Sequence, residues 1–459
     1  MEQITKPHCG ARLDRLPDCR WHSSMFAIVA FGLLVCWSNA VGGLILAQLK
    51  ALGWTDNSTT ATFSAITTAG MFLGALVGGI IGDKTGRRNA FILYEAIHIA
   101  SMVVGAFSPN MDFLIACRFV MGVGLGALLV TLFAGFTEYM PGRNRGTWSS
   151  RVSFIGNWSY PLCSLIAMGL TPLISAEWNW RVQLLIPAIL SLIATALAWR
   201  YFPESPRWLE SRGRYQEAEK VMRSIEEGVI RQTGKPLPPV VIADDGKAPQ
   251  AVPYSALLTG VLLKRVILGS CVLIAMNVVQ YTLINWLPTI FMTQGINLKD
   301  SIVLNTMSMF GAPFGIFIAM LVMDKIPRKR MGVGLLILIA VLGYIYSLQT
   351  SMLLITLIGF FLITFVYMYV CYASAVYVPE IWPTEAKLRG SGLANAVGRI
   401  SGIAAPYAVA VLLSSYGVTG VFILLGAVSI IVAIAIATIG IETKGVSVES
   451  LSIDAVANK

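Results

Sequence analysis

GIIGDKTGRR, residues 79–88, decides the reading of this chain. A glycine-lined apolar run ends there on one acid, Asp83, a turn glycine, Gly86, and two adjacent bases, Arg87 and Arg88. DKIPRKR, residues 324–330, closes another apolar run about 240 residues later. Two further pairs keep the same order: FTEYMPGRNRG at 136–146 with VPEIWPTEAKLRG at 378–390, and PESPRW at 203–208 with IETKG at 441–445. Three repeated junctions in one order imply two related halves, the arrangement used by alternating-access carriers with a site near the membrane midplane.

Working outward, the composition fixes the class. With 56% hydrophobic residues, 13% charged residues and a mean hydropathy of +0.71, the 459-residue chain reads as an all-α polytopic membrane protein. A membrane-crossing helix needs roughly 20 mostly apolar residues. Twelve such runs are predicted, at 24–47, 59–82, 89–107, 112–136, 148–174, 180–202, 264–292, 301–323, 331–349, 352–378, 390–414 and 417–441. They form a six-helix bundle over 24–202 and a second over 263–441. Residues 1–23 precede them, with LDRLP at 13–17 as a short interfacial piece, and 442–459 form a tail. The interval 203–262 holds an amphipathic helix, RYQEAEKVMRSIEEGVIR, followed by a Pro- and Asp-containing linker that carries no core of its own.

The net charge of +10 is a topology signal rather than a nucleic-acid signal. Twelve spans place both termini and the central loop on one side, and 30 of the 34 Lys and Arg residues belong there, Arg151 and Arg399 some way into their spans; the others are Lys50, Arg118, Arg181 and Lys299. The bias of Lys and Arg toward inner loops makes that side the cytoplasm. No small-residue cleavage site precedes the first apolar run, so the first span acts as the insertion signal. Seven cysteines without a CxxC pair argue against a disulfide framework. HExxH, Walker and G-x-S-x-G motifs and metal-spaced Cys or His are lacking, so neither an enzyme, a metal site nor a cofactor is expected.

These residues resemble the Major Facilitator Superfamily, more narrowly its sugar-porter-like and metabolite–proton symporter branches, over essentially the whole chain. GIIGDKTGRR matches the family's loop between helices two and three, RFVMGVGLG at 118–126 its fourth-helix pattern, and PESPRWL and ETKG the ends of its halves. The chain is also similar to enterobacterial inner-membrane metabolite transport proteins, which implies a monomer in a bacterial inner membrane. Two departures argue against a standard hexose–proton symporter. MNVVQYTLINWLP, residues 276–288, lacks the paired glutamines of sugar porters, and the first span reads Trp37-Ser38-Asn39 with no acid.

Candidate residues follow in three groups. Asp83, Arg87, Arg88, Glu138, Arg145, Arg151, Glu204 and Arg207, with Asp324, Arg328, Glu380, Arg389 and Glu442, cluster at the basic ends of the spans. They serve either as a releasable inner latch or as static anchors. Intramembrane charges form the second group, since an ionisable group in a span is costly. Arg399 lies ten residues past Arg389, hence roughly 15 Å further in. It grips a substrate carboxylate, as the resemblance to organic-anion carriers implies, or pairs with a lining acid. Arg118 is tied to energy coupling by the resemblance, or bonds carbonyls structurally. Glu95 and His98, three apart on one helix face, pass a proton or form a structural pair.

The third group is polar and aromatic: Trp37 and Asn39, Asn157 and Trp158, Asn277, Gln280, Tyr281 and Asn285, Asn305, Tyr372 with Tyr367, Tyr369 and Tyr377, and Asn395. They either line a cavity for a hydroxyl-rich solute or pack between helices. Gly70, Gly74, Gly78 and Gly82 recur four apart, as do Gly122 and Gly126, and Gly398 and Gly402, which predicts close helix packing. The expected function is secondary transport of a small polar metabolite, a sugar, polyol or sugar acid, by alternating access with proton symport. An organic-anion or aromatic-acid carrier, or an uncoupled facilitator, stands beside it.

Overall fold

Apolar runs become helices throughout the computed structural model, and among the described residues no strand occurs. The structure describes residues 7–17, 19–141, 145–240, 253–323, 325–383 and 386–444; the side chains at 133, 134, 137, 145, 146 and 388 lie outside that description. Nine helices among them are long and apolar enough to cross a membrane. The last, Arg389–Ile439, carries two spans, because 51 residues would reach far beyond a bilayer core of about 30 Å. Gly417, at φ 66° and ψ −160°, separates them in a conformation open to glycine. Exposed Leu73, Leu76, Val77 and Ile80 on the second span are the pattern of a side turned to lipid.

Three predicted spans are broken rather than continuous. The first divides into Arg20–Val35 and Gly42–Ala51, with residues 36–41 outside any helix. Beyond the break, a Cβ on Gly43 would stand 2.9 Å from the Asn285 carbonyl, so only glycine lets the first span touch the seventh there. The fifth divides into Arg145–Asn157 and Ser159–Leu170. Pro161 follows closely and has no N–H to give the Asn157 carbonyl. Pro313 acts likewise in the eighth span, which pauses at Phe310 between Leu298–Met309 and Gly311–Val322.

Two compact units emerge, cut differently from the sequence halves. One comprises Met1–Asn39, Gly70–Ser159 and Leu184–Gly246. Its core gathers Met25 and Val29, Phe91 and Tyr94, Leu132 and Phe136, Trp148 and Phe202, thus residues of five spans. The other comprises Ala40–Ala69, Tyr160–Gln183 and Lys247–Lys459. Within it, ends of first-half spans bond the second half: Asn57 Nδ2 donates to Ser414 Oγ at 2.9 Å and Asn305 Nδ2 to Ser164 Oγ at 3.1 Å.

The N-terminal segment around LDRLP is packed: Cys9–Asp14 is helical, and Leu13 and Leu16 are fully buried with Trp208, Leu209, Met222 and Val229. The partner is the amphipathic helix Tyr215–Thr233, whose apolar face at Ala218, Met222, Ile225 and Val229 follows helical spacing. Residues 241–252 of the linker lie outside the described residues.

Ion pairs lock this contact. Arg12 reaches Glu226 at 2.6 Å and also Glu219, and Arg15 reaches Glu226 at 2.6 Å. Burial alone would push both carboxyls up; hydrogen bonds and charge from Arg12, with Arg15 on Glu226 and Arg223 on Glu219, outweigh it and hold both below 4.5. A depressed carboxylate stabilises the fold above its unfolded value and ceases to as pH falls through its folded value. Labelling of buried Cys9 by a pyridyl disulfide, which reacts with thiols in acid, should therefore be slow above about pH 4.5 and accelerate below it. Arg12→Ala should speed it at neutrality by on the order of 10-fold or more, the loss of a charged hydrogen bond. Equal rates for wild type and variant would show that the pairs do not hold the segment.

Candidate functional site

The repeated junctions build the same cluster twice. In the first unit, Arg87 Nε donates to Glu138 Oε1 at 2.9 Å and its Nη1 to Asp83 Oδ1 at 2.6 Å. The Arg87 and Arg88 amides, at a helix start, donate to Glu204 Oε1 at 2.7 and 3.3 Å. In the second unit, Arg328 Nε donates to Glu380 Oε2 at 3.1 Å, and the Arg328 and Lys329 amides donate to Glu442 at 2.7 and 3.2 Å. Even the supporting tyrosines match, with the Tyr139 hydroxyl on the Pro203 carbonyl at 2.5 Å and the Tyr377 hydroxyl on the Ile441 carbonyl at 3.0 Å. Burial alone would push the Glu442 carboxyl up, yet the amides of Arg328, Lys329 and Lys444 hold it below its ordinary range.

Other members of the predicted latch are placed apart. Arg207 donates to the Glu138 carbonyl at 3.0 Å and to Asp14 at 2.9 Å. Arg88 Nη2 bonds the Trp199 carbonyl at 2.6 Å. Arg151 lies over the Trp148 ring at 5.0 Å and Arg389 over the Tyr254 ring at 5.1 Å. Asp324 and the side chain of Arg145 lie outside the described residues.

A second cluster sits where the first span breaks, inside the first unit. Glu95, His98, Ser38 and Arg118 are all 1% exposed or less. Ser38 Oγ stands 2.7 Å from His98 Nε2, and His98 Nδ1 stands 3.5 Å from Glu95 Oε2. Arg118 Nη1 donates to the Ser38 carbonyl at 2.7 Å. A carbonyl freed by the unwound segment thus has a guanidinium partner, which accounts for Arg118 at this depth. The sequence reading named Trp37 and Asn39 on either side and passed over Ser38.

In the second unit, the polar candidates divide by what they bond. Asn277 Nδ2 turns back to the Leu273 carbonyl at 2.8 Å, and Asn395 Nδ2 to the Ser391 carbonyl at 2.9 Å. Asn157 does the same to Ser153 at 2.7 Å in the first unit. Asn305 meets Ser164, while fully buried Tyr372 stacks on Tyr377 at 5.0 Å. Trp37 is buried, Asn39 half-buried, Asn285 buried, and Gln280 and Tyr281 half-buried. Trp158 closes the broken fifth span, its amide bonding the Ile155 carbonyl.

Arg399 is different. It is half-buried, and its Nη1 is buried with no hydrogen-bond partner among the described residues. Gly398 beside it packs on the seventh span, where a Cβ would stand 2.8 Å from Leu273 Cβ and 3.0 Å from Asn277 Nδ2; Gly402 packs on the Tyr281 ring. The eleventh-span cation is thereby next to the seventh-span polar stretch. No lining acid pairs with it among the described residues.

The model of the Major Facilitator Superfamily matches residues 26–406. The chain belongs to that superfamily. It is 44% identical to the inner membrane metabolite transport protein YdjE of Escherichia coli over 98% of this chain and 99% of the relative. It is 26% identical to the niacin transporter NiaP of Acinetobacter baylyi over 96% and 99%. The xylose transporter XylE of E. coli, in a partially occluded inward open structure, matches with a TM-score of 0.73 at 18% identity, covering 93% of this chain and 100% of that one. The fold is therefore that of this superfamily, and the protein is a metabolite transporter rather than an enzyme.

Within this Major Facilitator Superfamily chain, sequence reading also passed over a buried amide chain. Gln48 Nε2 donates to Asn179 Oδ1 at 3.2 Å, and Gln183 Nε2 donates to the same oxygen at 2.8 Å. Asn179 and Gln183, four apart, were the available signal. Tyr160, whose ring lies 5.4 Å from that of Tyr367, was missed as well.

Proposed function

We propose that this protein carries a small hydroxylated carboxylate, a sugar acid in chemical class, across a bacterial inner membrane by alternating access with proton symport. The observation that carries the substrate class is Arg399, a guanidinium deep in a span whose buried Nη1 has no partner among the described residues. A buried guanidinium nitrogen without a partner is costly, and a bound carboxylate would supply charge-assisted hydrogen bonds at that place. Niacin, named for one relative, is also a carboxylate, which supports an anion; the amides and Tyr281 of the seventh span suit hydroxyl groups.

The twin junction clusters take the part of the inner latch in this reading. Each is an ion-pair network at the basic ends of its spans, the kind of element that suits a contact that must open and reform. Placement of the basic ends in the cytoplasm follows the Lys and Arg bias, and a single chain is the working unit.

Coupling is tested by uptake of radiolabelled sugar acids into proteoliposomes with and without an inward proton gradient. A gradient should drive accumulation several-fold above equilibrium, roughly 10-fold per pH unit at one proton per substrate. Rates and end points that ignore the gradient would leave a facilitator.

A further inference from the structure

We propose that Glu95, His98 and Ser38 form a buried proton-binding site that sets the hydrogen-bond role of Ser38 in the break of the first span. The proposal deepens the symport reading above and rests on it for its purpose, though not for its test. Four observations combine. Glu95 and His98 are both fully buried, and Ser38 touches His98 Nε2 at 2.7 Å. Both Glu95 carboxyl oxygens and His98 Nδ1 lack hydrogen-bond partners among the described residues, the Nδ1 to Oε2 distance being 3.5 Å. Ser38 lies in residues 36–41, which have left the helix. Its carbonyl is held by Arg118.

A merely structural network buried this deeply would have its polar atoms satisfied, because each unmade bond costs about 1–3 kcal/mol. This one leaves three atoms open around a position that a proton can fill. The groups that face it are few. Ser38 and the Cys36 thiol come from the first span, the latter within the field of Glu95, and Arg118 comes from the fourth. Tyr94, on the same helix, is turned to the Gly78 carbonyl of the second span at 2.8 Å. The sixth span, which meets this helix at Gly105 through Leu184, has no ionisable residue between Leu184 and Trp199.

Proton bookkeeping then links the site to the break. With Glu95 ionised and His98 neutral, His98 carries its proton on Nδ1 toward Glu95, and Nε2 accepts the Ser38 hydroxyl proton. One added proton settles on Nε2, which now donates to Ser38 Oγ, while the Nδ1 proton passes to Glu95, leaving a neutral carboxyl beside a neutral imidazole. The Ser38 hydroxyl proton must turn to another acceptor. Loss of the proton reverses each step and nothing else is consumed. Ser38 is therefore a donor toward His98 in one state and a donor elsewhere in the other, beside Trp37 and Asn39.

The test needs no substrate. Infrared difference spectra of the purified full-length protein in nanodiscs, recorded across a pH titration, should show a protonated carboxyl C=O band growing in as the pH falls. Glu95→Gln should remove that band, and His98→Gln should shift its midpoint by about one pH unit or more, a tenfold change in proton affinity. Should Glu95→Gln not fold, Glu95→Asp should move the band in frequency. A band unchanged in the Glu95 variants, or a midpoint unmoved by His98→Gln, would overturn the proposal. Gradient-indifferent uptake by wild type would instead defeat symport, and this titration would stand by itself.

Discussion

Arg399→Ala is expected to weaken binding of a sugar acid by on the order of 100-fold, about 2.7 kcal/mol, while leaving any neutral sugar or polyol ligand unaffected. The asymmetry follows from chemistry. A neutral polyol makes ordinary hydrogen bonds, worth about 0.5–1.5 kcal/mol each, which many side chains can replace. A carboxylate in a span has few sources of compensating charge, and Arg399 has a buried nitrogen unused by the protein among the described residues. Arg399→Lys should recover part of the loss, since it keeps the charge and forfeits the planar fork. Ligand-free protein should lose no stability with Arg399→Ala, because the substitution removes a buried atom that had no bond to lose. A thermal-shift panel of aldonates, polyols, sugars and aromatic acids, followed by titration calorimetry of the hits, reads all of this. Unchanged affinity for an acid that wild type binds would remove Arg399 from the site.

Particular residues show what the sequence could and could not disclose. The junctions at Asp83–Arg88 and Arg328–Arg330 were legible because a run of charges after an apolar segment must face water, and their repetition in order is what the reading of two related halves rests on. Their atomic match, Arg87 to Glu138 and Glu204 against Arg328 to Glu380 and Glu442, is the physical content of that repetition. The break at residues 36–41 was not legible, because the run reads as apolar on both sides and the bonds that hold it open come from Arg118 and His98, distant in sequence. Polar residues inside spans posed the same difficulty. Asn277, Asn395 and Asn157 look alike in sequence to Gln48 and Asn179, yet the first three bond their own helices and the last two join different spans. Hydropathy reports depth, and it does not report which neighbour a side chain meets.

Gly74→Leu is expected to abolish stable folding, Gly74→Ala to cost about 1–3 kcal/mol, and Gly79→Ala to be neutral or to gain up to about 1 kcal/mol. The three share a helix, so propensity alone would favour all of them. A Cβ on Gly74 would run into the carbonyl group of Val123 in the fourth span, standing 2.8 Å from its carbon. Gly70 and Gly78 face Phe119 and Ala127 in the same way, so second and fourth spans are in backbone contact over two turns. Backbone cannot rotate aside as a side chain can, and a displaced fourth span would carry Arg118 away from the Ser38 carbonyl it holds. Gly79 has nothing within 4 Å of its would-be Cβ. Fluorescence-detected size exclusion after heating would rank the variants by melting temperature. Gly74→Ala as stable as Gly79→Ala would mean that the two spans can part without cost, and the close contact would then not be what fixes the first-span break against Arg118.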